Sequence, residues 1–151
     1  MTSDVTTGRL GSAPMSATRS ADPARTVPMW RTALVACVAA AVATTAIAAA
    51  ARSAGVAVEI DDQPIPLLGF TQLTLLFSAI GVLLAAALRR WAPAPKRTFL
   101  AVTGVLLALS VVPDLLVSAT TGTRLTLIAT HLVAAAIVVP LVAGRLPART
   151  R

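Results

Sequence analysis

Four apolar stretches constrain this chain more than any other feature: Ala33–Ala51, Pro66–Leu88, Phe99–Val117 and Leu125–Ala143. Three hold 19 residues and the second holds 23, and between them they carry one acid, Asp114, and one histidine, His131. At about 1.5 Å of rise per residue, each is long enough to cross a hydrocarbon core of about 30 Å. With no water inside a bilayer, a crossing segment must satisfy its own backbone polar groups, so all four are expected to be helices. Their length and lack of strict alternation exclude strands. The expectation is an all-α, integral membrane four-helix bundle.

Composition closes off the soluble alternative. Charged residues make up only 13% of the chain, whereas a soluble domain carries about a quarter. Mean hydropathy is +0.82, and the surface that a water-soluble fold needs is missing. Residues 1–29 are rich in Ser, Thr, Ala, Pro and Arg and too poor in large apolar groups to offset their ordering entropy, which reads as a disordered cytoplasmic tail. Met15 and Met29 stand as alternative start codons. Residues 30–146 form the transmembrane domain, and 147–151 a short basic cytoplasmic tail.

The first stretch has the least hydrophobic drive, since 11 of its 19 residues are alanine. A cleaved signal peptide ending near Ala48-Ala49-Ala50 is the rival reading. The run exceeds the 7 to 15 residues of a signal core, and a long tail precedes it. Close helix packing through small residues accounts for the alanines better.

Orientation follows from the basic flanks. Arg9, Arg19, Arg25 and Arg31 precede the first span; Arg89, Arg90, Lys96 and Arg97 lie between the second and third; Arg145, Arg149 and Arg151 follow the fourth. The other two connections hold only Arg52 and Arg124. The expectation is a multi-pass protein of the plasma membrane with both termini cytoplasmic. The net charge of +7 therefore reads as a topology signal. No basic patch interleaved with aromatics points to nucleic acid. Trp30 and Trp91 fall at the cytoplasmic ends of the first two spans, as interfacial anchors do.

Chemistry-bearing residues are few. A single cysteine, Cys37, rules out an intramolecular disulfide and a cysteine metal site. Glu59, Asp61 and Asp62 cluster in the first outer loop, without the ligand alternation and internal glycine of an EF-hand, and read as a solvated acidic loop. Asp114 and His131 are the ionisable groups at membrane depth, where such groups are costly and default to functional candidates. They lie roughly 5 and 9 Å from the outer ends of their spans by helical rise. If spans three and four are neighbours, the two side chains can meet, to relay a proton, orient an imidazole or help hold a metal. The plainer account pairs Asp114 with Arg124 or Arg52 and leaves His131 bonded to a neighbouring helix. Two groups are too few for a closed metal site, so no metal and no cofactor is expected.

Other polar and small residues fall at helical spacing. Ser110, Asp114 and Ser118 share one face of span three. Thr71, Thr74, Ser78, Gly81 and Ala85 form a stripe on span two, with Gln72 near its outer end. Gly81 with Ala85, and Gly104 with Ala108, have the spacing of helix-packing seams. Pro113 removes the donor for the Leu109 carbonyl, and Pro140 the donor for that of Ala136.

Several of these motifs resemble a family of uncharacterised actinobacterial membrane proteins, a domain of unknown function with four spans. The resemblance lies in Ile65-Pro66-Leu67-Leu68-Gly69-Phe70, Ser78-Ala79-Ile80-Gly81, Leu109-Ser110 with Pro113, and His131 followed by Pro140. It covers about residues 30 to 146. It implies a four-span fold and no established activity. Asp114 is not part of that pattern.

The leading functional expectation is a non-catalytic membrane component, not an enzyme, that packs with itself, a partner or lipid. The alternatives are a small transporter or proton-coupled subunit using Asp114 and His131, and a membrane-embedded enzyme in which Gln72 joins His131.

Overall fold

A computed structural model describes residues 28–148, so residues 1–27 of the expected N-terminal tail, with Arg9, Arg19 and Arg25, lie outside the described residues, as do Arg149 and Arg151. Met29, at the tail's end, already belongs to the first helix. Four helices dominate: α1 (Met29–Ser53), α2 (Leu67–Trp91), α3 (Pro95–Leu116) and α4 (Thr121–Ala143). Each is long and apolar enough to cross a membrane. The helices outrun the apolar stretches because hydropathy marks the lipid-facing core, whereas hydrogen bonding continues into the polar flanks. Arg89 and Arg90 thus belong to the last turn of α2, and Lys96 and Arg97 to the first turn of α3. Only residues 92–94 connect those two helices.

Local sequence accounts for the helix ends. Pro95 stands at the first helical position of α3, where its missing N–H costs nothing and its fixed φ is already helical. Thr120 caps α4, its side chain accepting a hydrogen bond from the Thr123 backbone N–H at 3.2 Å. α1 stops at Gly55, whose φ of +84° suits a residue without a Cβ. The Gly55 N–H donates to the Arg52 carbonyl and the Val56 N–H to that of Ala51, both at 3.0 Å. This crossed pair satisfies the last carbonyls of the helix.

Between α1 and α2 the chain makes one small hairpin, β1 (Glu59–Ile60) against antiparallel β2 (Gln63–Pro64). Its two-residue turn, Asp61-Asp62, has φ of 50° and 59°, the left-handed pair that matches strand twist in tight hairpins. Aspartate tolerates this region better than most residues because its short side chain bonds locally.

α1 packs against α4 and α2, while α3 packs on α4 and α2. The buried positions of α1 are Ala33, Ala36, Cys37, Ala40, Ala41, Thr44 and Ala48, a single stripe of small residues. The alanine-rich span is therefore the one most enclosed. Small side chains let backbones approach and recover dispersion energy that lipid contact alone cannot supply. α2 and α3 are mostly exposed, with Leu73, Phe77, Leu83 and Leu109 more than half open on the outside. Apolar surface on this scale is incompatible with a water-facing exterior.

The bundle has two chemically different ends. Arg89 reaches the Met29 sulfur, and the Lys96 N–H donates to the Pro147 carbonyl at 3.4 Å. The start of α1, the end of α2, the start of α3 and the last described residues therefore share one end. That end carries Arg31, Arg89, Arg90, Lys96, Arg97 and Arg145, and its described residues include no Asp or Glu. At the other end the Asp61 N–H donates to the Ser118 carbonyl at 3.2 Å, tying the hairpin to the α3–α4 connection. That end carries Glu59, Asp61 and Asp62 together with Arg52 and Arg124.

Candidate functional site

Beneath the acidic end, α3 and α4 bring Asp114 and His131 together. The His131 Nδ1 lies 2.9 Å from Asp114 Oδ2 and 3.0 Å from the Leu127 carbonyl oxygen, one turn back on its own helix. Both neighbours are acceptors when the acid is ionised, so Nδ1 carries the hydrogen. The geometry of a hydrogen bond is met at the Leu127 carbonyl. Asp114 Oδ2 is buried beside the ring with no aligned hydrogen-bond partner. The contact between acid and imidazole is thus chiefly electrostatic.

The two groups differ in exposure. The Asp114 side chain is 10% exposed and that of His131 40%. His131 stands ten residues, about 15 Å of rise, from the first residue of α4, while Asp114 stands two residues, about 3 Å, from the last of α3. Since their side chains touch, α4 begins well beyond the level at which α3 stops. The extended residues Val117 and Thr120 carry the chain across that difference. His131 is accordingly deeper along its helix than the apolar stretch alone indicates, because α4 starts four residues before Leu125.

Neither arginine of this end meets Asp114. Arg124 Nη2 donates to the Val117 carbonyl at 2.9 Å, covering the C-terminal end of α3. Arg52 Nη2 donates to the Ile65 carbonyl, just before α2. Each cation sits on a carbonyl that no helix bond satisfies. The buried Arg124 Nε has no hydrogen-bond partner.

The hydroxyls nearby are turned on their own helices. Ser110 Oγ donates to the Leu107 carbonyl at 2.7 Å, so it shares the face of Asp114 without bonding to it. Thr126 and Thr130 on α4 donate to the Gly122 and Leu127 carbonyls at 2.8 and 2.7 Å. Such bonds satisfy a hydroxyl in lipid without a second helix. Ser118 lies past the end of α3 and is exposed. Gln72 is exposed on α2, whereas Asp114 is buried.

The stripe on α2 is a seam with α1. Thr44 Oγ1 lies 3.0 Å from Thr74 Oγ1, and Thr45 Oγ1 lies 2.7 Å from Thr71 Oγ1. Ala85 at the far end of the stripe is fully buried, while a Cβ added to Gly81 would meet nothing within 4 Å. Gly104 and Ala108 are exposed on α3, and Gly104 likewise has open space beside it. Within this bundle they form no seam. A closely approached glycine is instead Gly122, where a Cβ would come within 3.1 Å of a Val56 methyl. Its sequence signal is faint, one glycine in the first turn of a helix. Trp30 and Trp91 are 62% and 79% exposed at the basic end, and the Arg31 guanidinium lies 5.4 Å from the centre of the Trp30 ring. Among the described residues, no three His, Cys, Asp or Glu side chains group as metal ligands.

A model of a family of unknown function, DUF6069, matches residues 24–148. No curated protein and no solved structure matches the chain.

Proposed function

The chain belongs to the DUF6069 family of unknown function, and from that premise we propose that it is a non-catalytic component of the plasma membrane, spanning it four times. The resemblance noted from its motifs supports an actinobacterial setting. The observation that carries the reading is how the intramembrane polar groups are used. His131 bonds to its own helix and braces Asp114 of the next, and the hydroxyls of Ser110, Thr126 and Thr130 are satisfied one turn away. The pair acts as a polar tie between α3 and α4, where an unpartnered carboxylate in lipid would be costly.

The basic end faces the cytosol in this reading, with both termini inside. What supports it is the separation of the charges: the described acids of the loops lie at one end, and six basic residues at the other. Cysteines placed at Arg97 and Asp62, with Cys37 replaced by alanine, test it in intact cells. An impermeant thiol reagent is expected to label the Asp62 position and to spare the Arg97 position until the cells are opened. The reverse pattern overturns the orientation.

A second reading, a proton-coupled subunit, is favoured by one observation. The buried Asp114 has a half-exposed imidazole as its titratable neighbour. Proteoliposomes under an imposed pH gradient separate the two. The tie predicts that Asp114→Asn and His131→Gln lower thermal stability and change no flux. A pH-driven flux in the natural protein that both variants abolish establishes the second reading instead.

A further inference from the structure

A groove of about 380 Å³ runs along the outside of the bundle between α3 and α4. Its floor is made by small residues, Gly104 on α3 and Ala135 and Ala136 on α4. Thr103 at its side gives its hydroxyl hydrogen to the Phe99 carbonyl at 2.8 Å, so it presents mainly a methyl. The wall is apolar, the groove open to the surroundings of the helices, and no side chain of the bundle fills it.

Its place along the helices sets it apart. Leu100, at one end of the lining, is one turn, about 6 Å of rise, from Lys96. Lys96 and Arg97 lie four and three residues before Leu100, on the stripe that continues through Gly104 and Leu107. Arg97 is exposed and Lys96 half-buried, and the first turn of α3 holds no acid. Arg145 follows the α4 side of the groove at the same end. A larger groove, about 440 Å³, lies between α1 and α2. Its nearest lining residue, Val38, is seven residues, about 10 Å of rise, from Arg31. It has no basic pair at its mouth.

We propose that the α3–α4 groove is a binding site for an anionic phospholipid. One acyl chain lies along Gly104 and Ala136, and the headgroup phosphate is held by Lys96 and Arg97. Charge complementarity selects this occupant: an apolar slot inside the hydrocarbon opens one turn from two cations at the headgroup level. Interfacial cations attract anionic headgroups, and small residues leave room for a chain. The proposal rests on the bundle being embedded in lipid, and on neither side of the membrane in particular.

The experiment uses the full chain purified in detergent, with phosphatidylglycerol and phosphatidylcholine of the same acyl chains as probes. Native mass spectrometry reads the bound lipid, and thermal unfolding reads its protection. Phosphatidylglycerol is expected to be retained and to raise the unfolding temperature, with phosphatidylcholine and free glycerol phosphate doing neither. Lys96→Gln with Arg97→Gln is expected to weaken retention on the order of tenfold. Gly104→Leu fills the groove where a Cβ meets nothing, and is expected to lose the lipid while unfolding at the natural temperature without lipid. Equal retention of both lipids, or a Gly104→Leu variant that still binds, overturns the proposal. So does a Gly104→Leu variant that breaks a dimer and leaves lipid binding intact, which makes the groove an interface between copies. A chain monodisperse in buffer without detergent defeats the membrane reading itself, an outcome distinct from lipid indifference in a chain that needs detergent.

Discussion

Val56 rests on the bare Cα of Gly122: a Cβ at that position would lie 3.1 and 3.3 Å from its two methyl groups. This contact joins the loop after α1 to the first turn of α4, and it sits above a small core of Ala48, Val58, Phe70 and Leu127. The hairpin is held over the same end by the Asp61–Ser118 backbone bond. The acidic end is therefore a packed cap, more than a loose loop between two spans.

Enlarging Gly122 tests that cap. Gly122→Ala is expected to change stability little, because the crowding of Val56 opposes the gain in helix propensity of about 1 kcal/mol. Gly122→Leu is expected to cost about 1–3 kcal/mol by overpacking, and Val56→Ala in the same chain to restore part of the loss. Unfolding in detergent micelles measures all three. A Gly122→Leu protein as stable as the natural one contradicts the contact.

The tie between α3 and α4 has a measurable coupling. A double-mutant cycle with Asp114→Asn and His131→Gln is expected to give an interaction energy of about 0.6–1.7 kcal/mol, the range of polar contacts between helices in membranes. Additive losses, with no coupling, separate the two residues energetically and remove the tie.

The threonine pairs are expected to matter less than their distances suggest. Thr44 and Thr45 each donate to the Ala41 carbonyl, at 3.1 and 2.8 Å, so Thr74 and Thr71 must supply the hydrogens between helices. Thr71→Val and Thr74→Val keep the shape of the seam and lose one net hydrogen bond each, a cost of about 1 kcal/mol or less. Equilibrium unfolding of each single variant checks this, and a loss several times larger shows that the seam depends on those hydrogens.

Arg124 closes the end of α3 through the Val117 carbonyl. Arg124→Met keeps the length and removes the donor, and is expected to cost roughly 1–2 kcal/mol. The loss is local, so hydrogen exchange at residues 118–120 is expected to quicken while that of α1 is unchanged. Uniform acceleration across the bundle places the role of Arg124 elsewhere.

How much of this was legible beforehand differs from feature to feature. The four helices were, because lipid leaves a long apolar segment no other way to satisfy its backbone. Their ends were not, since Lys96, Arg97 and the Thr120 cap continue or start helices outside the apolar runs. Asp114 and His131 stood out because charge is rare in such segments. Which of the partners weighed for Asp114 it would meet did not: it lies beside His131, while Arg52 and Arg124 cover carbonyls instead. The Gly81 and Gly104 spacings look alike in one dimension, yet Ala85 beside the first is buried in the bundle and Ala108 beside the second faces outward.

The order of residues by itself determined the class of fold and the separation of basic from acidic ends, because burial in lipid and charge at its edges act on each segment independently. Only the tertiary structure decided which small residues meet, whether the one intramembrane carboxylate meets the imidazole, and which groove is left open. Those outcomes depend on how helices rotate and slide against one another, and lipid as apolar as the side chains exerts almost no preference over that. Packing shape and a few hydrogen bonds settle it instead.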